Sequence, residues 1–144
     1  MTFETPDAAI DAHLAAEQSG DVDAMVATTS ADVAYEFPLQ GMRFVGQKAA
    51  RVFYAAGPEA ELRGDAGAGV ARKPLRAIWR LEGTRIFEAD GHPLMTGEGA
   101  IEQHTIAAVV IGGPEGVTHE RMYVSDRAFE LLTDVVRDHL EPMT

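Results

Sequence analysis

Moving protons near neutral pH takes a group that titrates there, a carboxylate within reach of it, and a site that holds both. His104 and Glu120 are one pair in this chain with those types. His104 lies just before the apolar run Ile106–Ile111, where an imidazole needs a partner. Glu120 falls in a second alternating stretch. From there it can bond His104 across a sheet, or act as the base itself once burial raises its pKa. Asp126, or His13 from the start of the chain, supplies a second group. In this reading His104 is the principal proton shuttle and Glu120 its orienter. Each residue also has a plainer reading. His104 suits a hydrogen-bonded core histidine, Glu120 a solvated carboxylate near Arg121, and Ser125-Asp126 a helix cap.

Other residues belong to a pocket wall. His13 shares a helical stripe with Ile10 and Leu14. Tyr35 and Phe37 share one face of an alternating segment, and Phe53 and Tyr54 sit on a later helix. The two tyrosines offer phenolic donors, or simply aromatic packing with the hydroxyl on backbone. Strand parity settles the rest: if Ala108 and Val110 face inward, so do Ile106, His104 and Glu102, and on the last strand Glu120, Met122 and Val124. The substrate-binding set is then His13, Tyr35, Phe37, Phe53, Tyr54, Glu102 and Met122. Glu102 and His104 are also possible metal ligands, but a third ligand and an HExxH spacing are lacking, so neither metal nor cofactor is expected. Walker, dinucleotide GxGxxG and GxSxG motifs are absent too.

These side chains need elements to hold them. Thr5-Pro6-Asp7 is a helix start with Thr5 as cap, and Gly20 is its stop. Asp21 caps a short second helix around Met25 and Val26. Val33 to Phe37 alternates as a strand closed by Pro38 and Gly41, with Met42 to Val45 as its partner. Gln47 to Ala56 reads as a helix. Gly57 to Lys73, rich in glycine and alanine, is expected to be a mobile loop beside the pocket mouth. Strands follow over Leu75–Glu82, Arg85–Ala89, Gly99–Ile111 and Val117–Val124, with Asp90-Gly91 as a tight hairpin turn and Gly112 to Gly116 as another. Trp79, with Leu75, Ala77 and Leu81, reads as core or as a dimer surface. Asp126–Leu132 and Thr133–Leu140 read as closing helices.

The chain has 144 residues, enough for one domain with its own core. A net charge of −11 argues against nucleic acid as a partner, and no segment is long enough to cross a membrane. The absence of cysteine and of a leader fits a cytoplasmic protein. Carboxylates crowd the first 42 residues, while basic residues gather between Arg43 and Arg85. Arg72, Lys73, Arg76, Arg80 and Arg85 read either as a patch for an anionic substrate or, more simply, as a solvated strand face.

The order of elements resembles the nuclear-transport-factor-2-like superfamily, in particular its SnoaL-like polyketide cyclase branch, with ketosteroid isomerase as a more distant cousin. Gly20 to Met25, Asp32 to Pro38, Gly46 to Tyr54 and Glu120 to Leu132 carry the resemblance. It implies an α+β fold in which a cone-shaped, curved antiparallel sheet wraps around helices and a central pocket (cystatin-like). It also implies homodimerisation through the outer sheet face. The isomerase's base, oxyanion tyrosine and protonated aspartate fall on Phe37, His13 and Ala108, so isomerisation by that route is disfavoured. The cyclases' acid/base aspartate falls on Asp126, but their Pro-Thr-Gly segment is missing. The expectation is a protein binding a small apolar molecule, catalysing cofactor-independent cyclisation, isomerisation or dehydration of a carbonyl compound. The alternative is a non-catalytic binding or dimerisation module, and epoxide hydrolysis ranks last.

Overall fold

The computed structural model describes residues 1–60, 62 and 77–144. Most of the Gly57–Lys73 loop therefore lies outside the described residues, as do Arg72, Lys73, Leu75 and Arg76. Helix α1 (Pro6–Ser19) begins where the Thr5 side chain accepts the Ala8 amide and ends at Gly20. Helix α2 (Val22–Ala27) begins at Asp21, whose side chain accepts the Ala24 amide. Strands β1 (Thr29–Phe37) and β2 (Met42–Val45) follow, then helix α3 (Gln47–Ala56). Four strands come next: β3 (Ala77–Leu81), β4 (Thr84–Met95), β5 (Ile101–Gly113) and β6 (Gly116–Tyr123). Helix α4 (Asp126–Thr133), capped by Ser125, and a 3-10 turn at Asp134–His139 lead to the short β7 (Glu141–Pro142).

The strands make one α+β mixed sheet that does not close, in the order β3-β4-β5-β6-β1-β2-β7. Neighbours run antiparallel except β1 and β6, which are parallel. Two local expectations change, and one strand is added. Asp90-Gly91 is not a hairpin turn but a bulge inside β4, where the register against β5 slips between Ala89 and His92. Gly91 holds φ 72°, and a bulge asks for the same left-handed glycine as a tight turn. The closing segment is a 3-10 turn broken at Val136 rather than an α-helix. β7 adds to β2 at the sheet edge, where Arg43 pairs with Glu141.

Cross-strand register fixes which side chains meet. One transverse row runs Arg80, Arg85, Val110, Glu120, Tyr35, Phe44 across β3, β4, β5, β6, β1 and β2. Alternation puts this row on the inner face, under α1 and α3. There Tyr35 stacks on Phe44 at 4.7 Å, Phe53 packs against both, and Phe37 meets Phe44 and Phe129. The rows on either side of it carry Trp79 and Leu81, which are 52% and 60% exposed on the other face, so neither belongs to the core. Helix α1 reaches the inner face because Gly112 has no side chain. A Cβ there would run into the Pro6 backbone. No helix among the described residues is long and apolar enough to cross a membrane.

Candidate functional site

Helical spacing puts His13 and Glu17 one turn apart on the same side of α1. That side lies over the middle of β6, so both side chains converge on Glu120. The His13 Nε2 is 2.9 Å from Glu120 Oε1 and 3.6 Å from Glu17 Oε1. Tyr54 of α3 closes the group. Its hydroxyl lies 3.0 Å from His13 Nε2, 2.9 Å from Glu120 Oε1 and 3.3 Å from Glu17 Oε1. Behind it the Tyr35 hydroxyl donates to the Tyr54 hydroxyl at 3.0 Å.

The partners assign the protons. His13 Nδ1 is 3.1 Å from the Met25 carbonyl, which only accepts, so Nδ1 carries a hydrogen. Thr28 Oγ1, 2.8 Å from the same nitrogen, can accept it too, because the Thr28 hydroxyl donates to the helix carbonyls. Nε2 therefore faces Glu120 with either a lone pair or a second proton, and a contact of 2.9 Å between two acceptors needs a proton between them. Burial pulls the His13 pKa down. The hydrogen bond and charge of Glu120, with Glu17 and the Met25 carbonyl, outweigh it, and the pKa ends above its usual value. The histidine thus favours the imidazolium that donates to Glu120. Burial first, then the charge of Glu120, hold both phenols well above the ordinary tyrosine range, so Tyr35 and Tyr54 stay donors.

Glu17 is the group that titrates in the working range. Desolvation, then the charge of Glu120, push its pKa up to about 7, against the pull of His13 and of the Tyr54 hydroxyl. Its side chain is 36% exposed at the pocket wall, so solvent tempers this shift. By donor count His13, Glu17 and Glu120 could also ligate a cation, their ligand atoms all lying within 4.8 Å. His13 and Glu120 meet at hydrogen-bond distance, and the Tyr54 hydroxyl links Glu120 to Glu17, so we read a proton-sharing cluster.

The cluster opens on a cavity of about 480 Å³. Phe87, Ala108, Val110, Ile106 and Met122 line its floor, with Phe53 and Leu14 at the side. Glu17, Tyr54 and Glu120 form one polar wall, and Arg80 and Arg85 reach the opposite one. At the rim His92 meets Glu59 at 2.6 Å. That size suits one small organic ligand with its polar contacts confined to the walls.

Among the residues singled out from sequence, Glu120, Tyr54, Phe53 and Met122 line this cavity. His13 and Tyr35 stand directly behind, bonded to Tyr54. Phe37 is fully buried between Phe44 and Phe129 and is not among the lining residues. The expected bond between His104 and Glu120 is not formed. Register sets Glu120 against Val110, and six residues of strand, roughly 20 Å, separate Val110 from His104. β6 ends opposite Ala107, so it has no residue to offer His104. His104 instead bonds Glu102 at 3.1 Å, and Glu102 is held by Arg127. Asp126 is exposed at the start of α4 and accepts from Gln40, away from the cavity. Glu17 was passed over as a site residue, although its four-residue spacing from His13 was a visible signal.

No protein-family model and no curated protein matches the sequence. Solved structures do. SalBIII, an epoxide hydrolase/cyclase-like enzyme of pyran ring formation in the polyether salinomycin, superposes with a TM-score of 0.63 at 12% identity, over 95% of each chain. The fold is NTF2-like. A Mycobacterium tuberculosis LEH-like epoxide hydrolase matches at TM-score 0.59 and 20% identity, over 94% of this chain and 93% of that one. An NTF2-like protein of unknown function from Burkholderia xenovorans matches at 0.55 and 21%, over 84% and 83%. At these identities the NTF2-like likeness is one of fold, and the site has to be argued from its own geometry.

Proposed function

We propose that this NTF2-like protein is a cofactor-independent acid/base enzyme acting on a small, largely apolar molecule with a carbonyl or neighbouring oxygen group. The reaction would be a cyclisation, isomerisation or dehydration. The observation that carries this reading is the pair of carboxyls at one wall of an apolar cavity. Glu17 is raised toward neutral pH and so can hold a proton there, while Glu120 accepts from His13 and Tyr54. Two carboxyls in unlike environments divide acid from base.

In the proposed step, the free oxygen of Glu120 removes a proton from a carbon beside the carbonyl, or from a hydroxyl about to attack. Glu17 gives its proton to the oxygen that gains charge. Each carboxyl has then exchanged state, and the reverse transfers, through product or through water, restore them. His13 and the Tyr35–Tyr54 pair keep Glu120 oriented. No step is assigned to His104 or Asp126, neither of which lines the cavity. For the assembled state the proposal is a homodimer through the outer face, where Trp79 and Leu81 are exposed. Light scattering in solution checks it.

The test is proton exchange in D2O with a panel of cyclic ketones, hydroxy-ketones and terpenoid epoxides, followed by NMR. Wild type should label or convert at least one member. Glu120→Gln should lower that rate roughly 100-fold or more while the fold is kept. Exchange at the wild-type rate in Glu120→Gln, or none with any member in wild type, counts against the reading.

A further inference from the structure

The cavity has a second polar pole that proton transfer does not use. Arg80 on β3 and Arg85 on β4 are directly paired across the strands, face inward, and both line the cavity. Like charges placed opposite one another on neighbouring strands repel. Compensation is uneven. The Arg85 side chain is 6% exposed, and its guanidinium is tied to Asp7 and, at 3.3 Å, to Asp11 of α1. Its buried Nε–H finds no acceptor among the described residues. Arg80 makes no hydrogen bond and no ion pair with any described residue, although its charge is felt at Asp7. Both carboxylates bond Arg85, so the four charges sum to zero, and the Arg80 guanidinium is left at the cavity wall with its donors unfilled by any described residue.

The opposite wall has the opposite sign. Arg80, Arg85, Val110 and Glu120 stand in one cross-strand row, so three strand spacings, roughly 14 Å of backbone, separate the first from the last before their side chains reach inward. A molecule of one or two rings can touch both. An anionic head turned toward Glu17 and Glu120 would be repelled, and turned toward Arg80 it would be held. In a chain of net charge −11, a local cation is what draws an anion in.

Building on the acid/base reading, we infer that the substrate is a small apolar carboxylic acid. Its carboxylate is bound by Arg80 beside Arg85, and its reacting group lies against Glu120. Arg80 is a specificity residue, and Arg85, fixed by Asp7 and Asp11, supports it.

Matched probes test this: cyclohexanecarboxylic, 2-naphthoic, 4-phenylbenzoic and decanoic acids, each with its methyl ester, titrated calorimetrically into the full chain at low ionic strength. At least one acid should bind roughly tenfold more tightly than its ester, the margin a charge-assisted contact gives. Arg80→Gln should bring acid and ester to parity, and Arg80→Lys should restore most of the preference. Added salt should narrow the gap. Arg80 is exposed, so the substitution leaves the core untouched. Esters binding as well as acids throughout the panel, no acid binding, or an acid preference that survives Arg80→Gln would each overturn the inference and leave Arg80 a solvated surface residue. Glu120→Gln, by contrast, should keep the acid preference while losing proton exchange, so failure here and failure of the acid/base reading are distinguishable.

Discussion

Glu120 is buried on the inner face and satisfied by two donors, His13 and Tyr54, neither of which is its neighbour in sequence. Removing a donor and removing the charge should therefore have different consequences. His13→Ala strands Glu120 without its charged partner and leaves a void among Met25, Thr28 and Tyr54. We expect a loss of about 3–5 kcal/mol in denaturant unfolding. Glu120→Gln keeps the shape and one acceptor, so it should cost far less stability while abolishing proton exchange. Tyr54→Phe removes the hydroxyl that links Tyr35, Glu17 and Glu120. It should cost about 1–3 kcal/mol through the partners left unsatisfied, again by denaturant titration. If His13→Ala unfolds at the wild-type denaturant concentration, the cluster is not the polar anchor described here.

Helix α1 carries half of the cluster, so its placement on β5 matters more than its local stability. Thr5→Ala removes a cap and should cost about 1 kcal/mol with turnover unchanged. Gly112→Ala puts a methyl group into the Pro6 backbone and should cost about 1–3 kcal/mol. It should also impair turnover, because lifting α1 moves His13 and Glu17 away from Glu120. Unfolding curves paired with exchange rates separate the two effects. The caps at Thr5 and Asp21, the Gly20 stop and the bounds of β2 and α3 were legible because each is a local event with a local residue signature. Asp90-Gly91 misled because turn and bulge share one backbone requirement. The parity of β5 was also read correctly. What parity cannot give is position along the strand, and that is where His104 and Glu120 parted.

Across the molecule, the site joins residues far apart in the chain, His13 and Glu120 being 107 positions apart. Sequence supplied the inward-facing carboxylate and the helical histidine, but their meeting depends on how α1 crosses the sheet. The same crowding sets how stability responds to pH. Glu17 has a folded pKa above its unfolded value, so between about 4.5 and 7 the unfolded chain releases a proton that the folded one keeps, and stability falls as pH rises. His13, also raised, adds a fall in the same direction above its ordinary value. Melting temperature should therefore decline from pH 5 to pH 8. Glu17→Gln should flatten the decline and gain on the order of 1 kcal/mol at pH 8, discounted because the side chain is partly exposed.

The most direct measurement is a carboxyl-carbon NMR titration of glutamate-labelled protein, with the Glu17 signal assigned by its loss in Glu17→Gln. The acid/base account predicts a Glu17 midpoint near 7 in wild type, moving down toward the ordinary carboxylate range in Glu120→Gln. A Glu17 that titrates in the ordinary range in both proteins would mean that no proton donor is poised at the cavity wall, and would contradict the account.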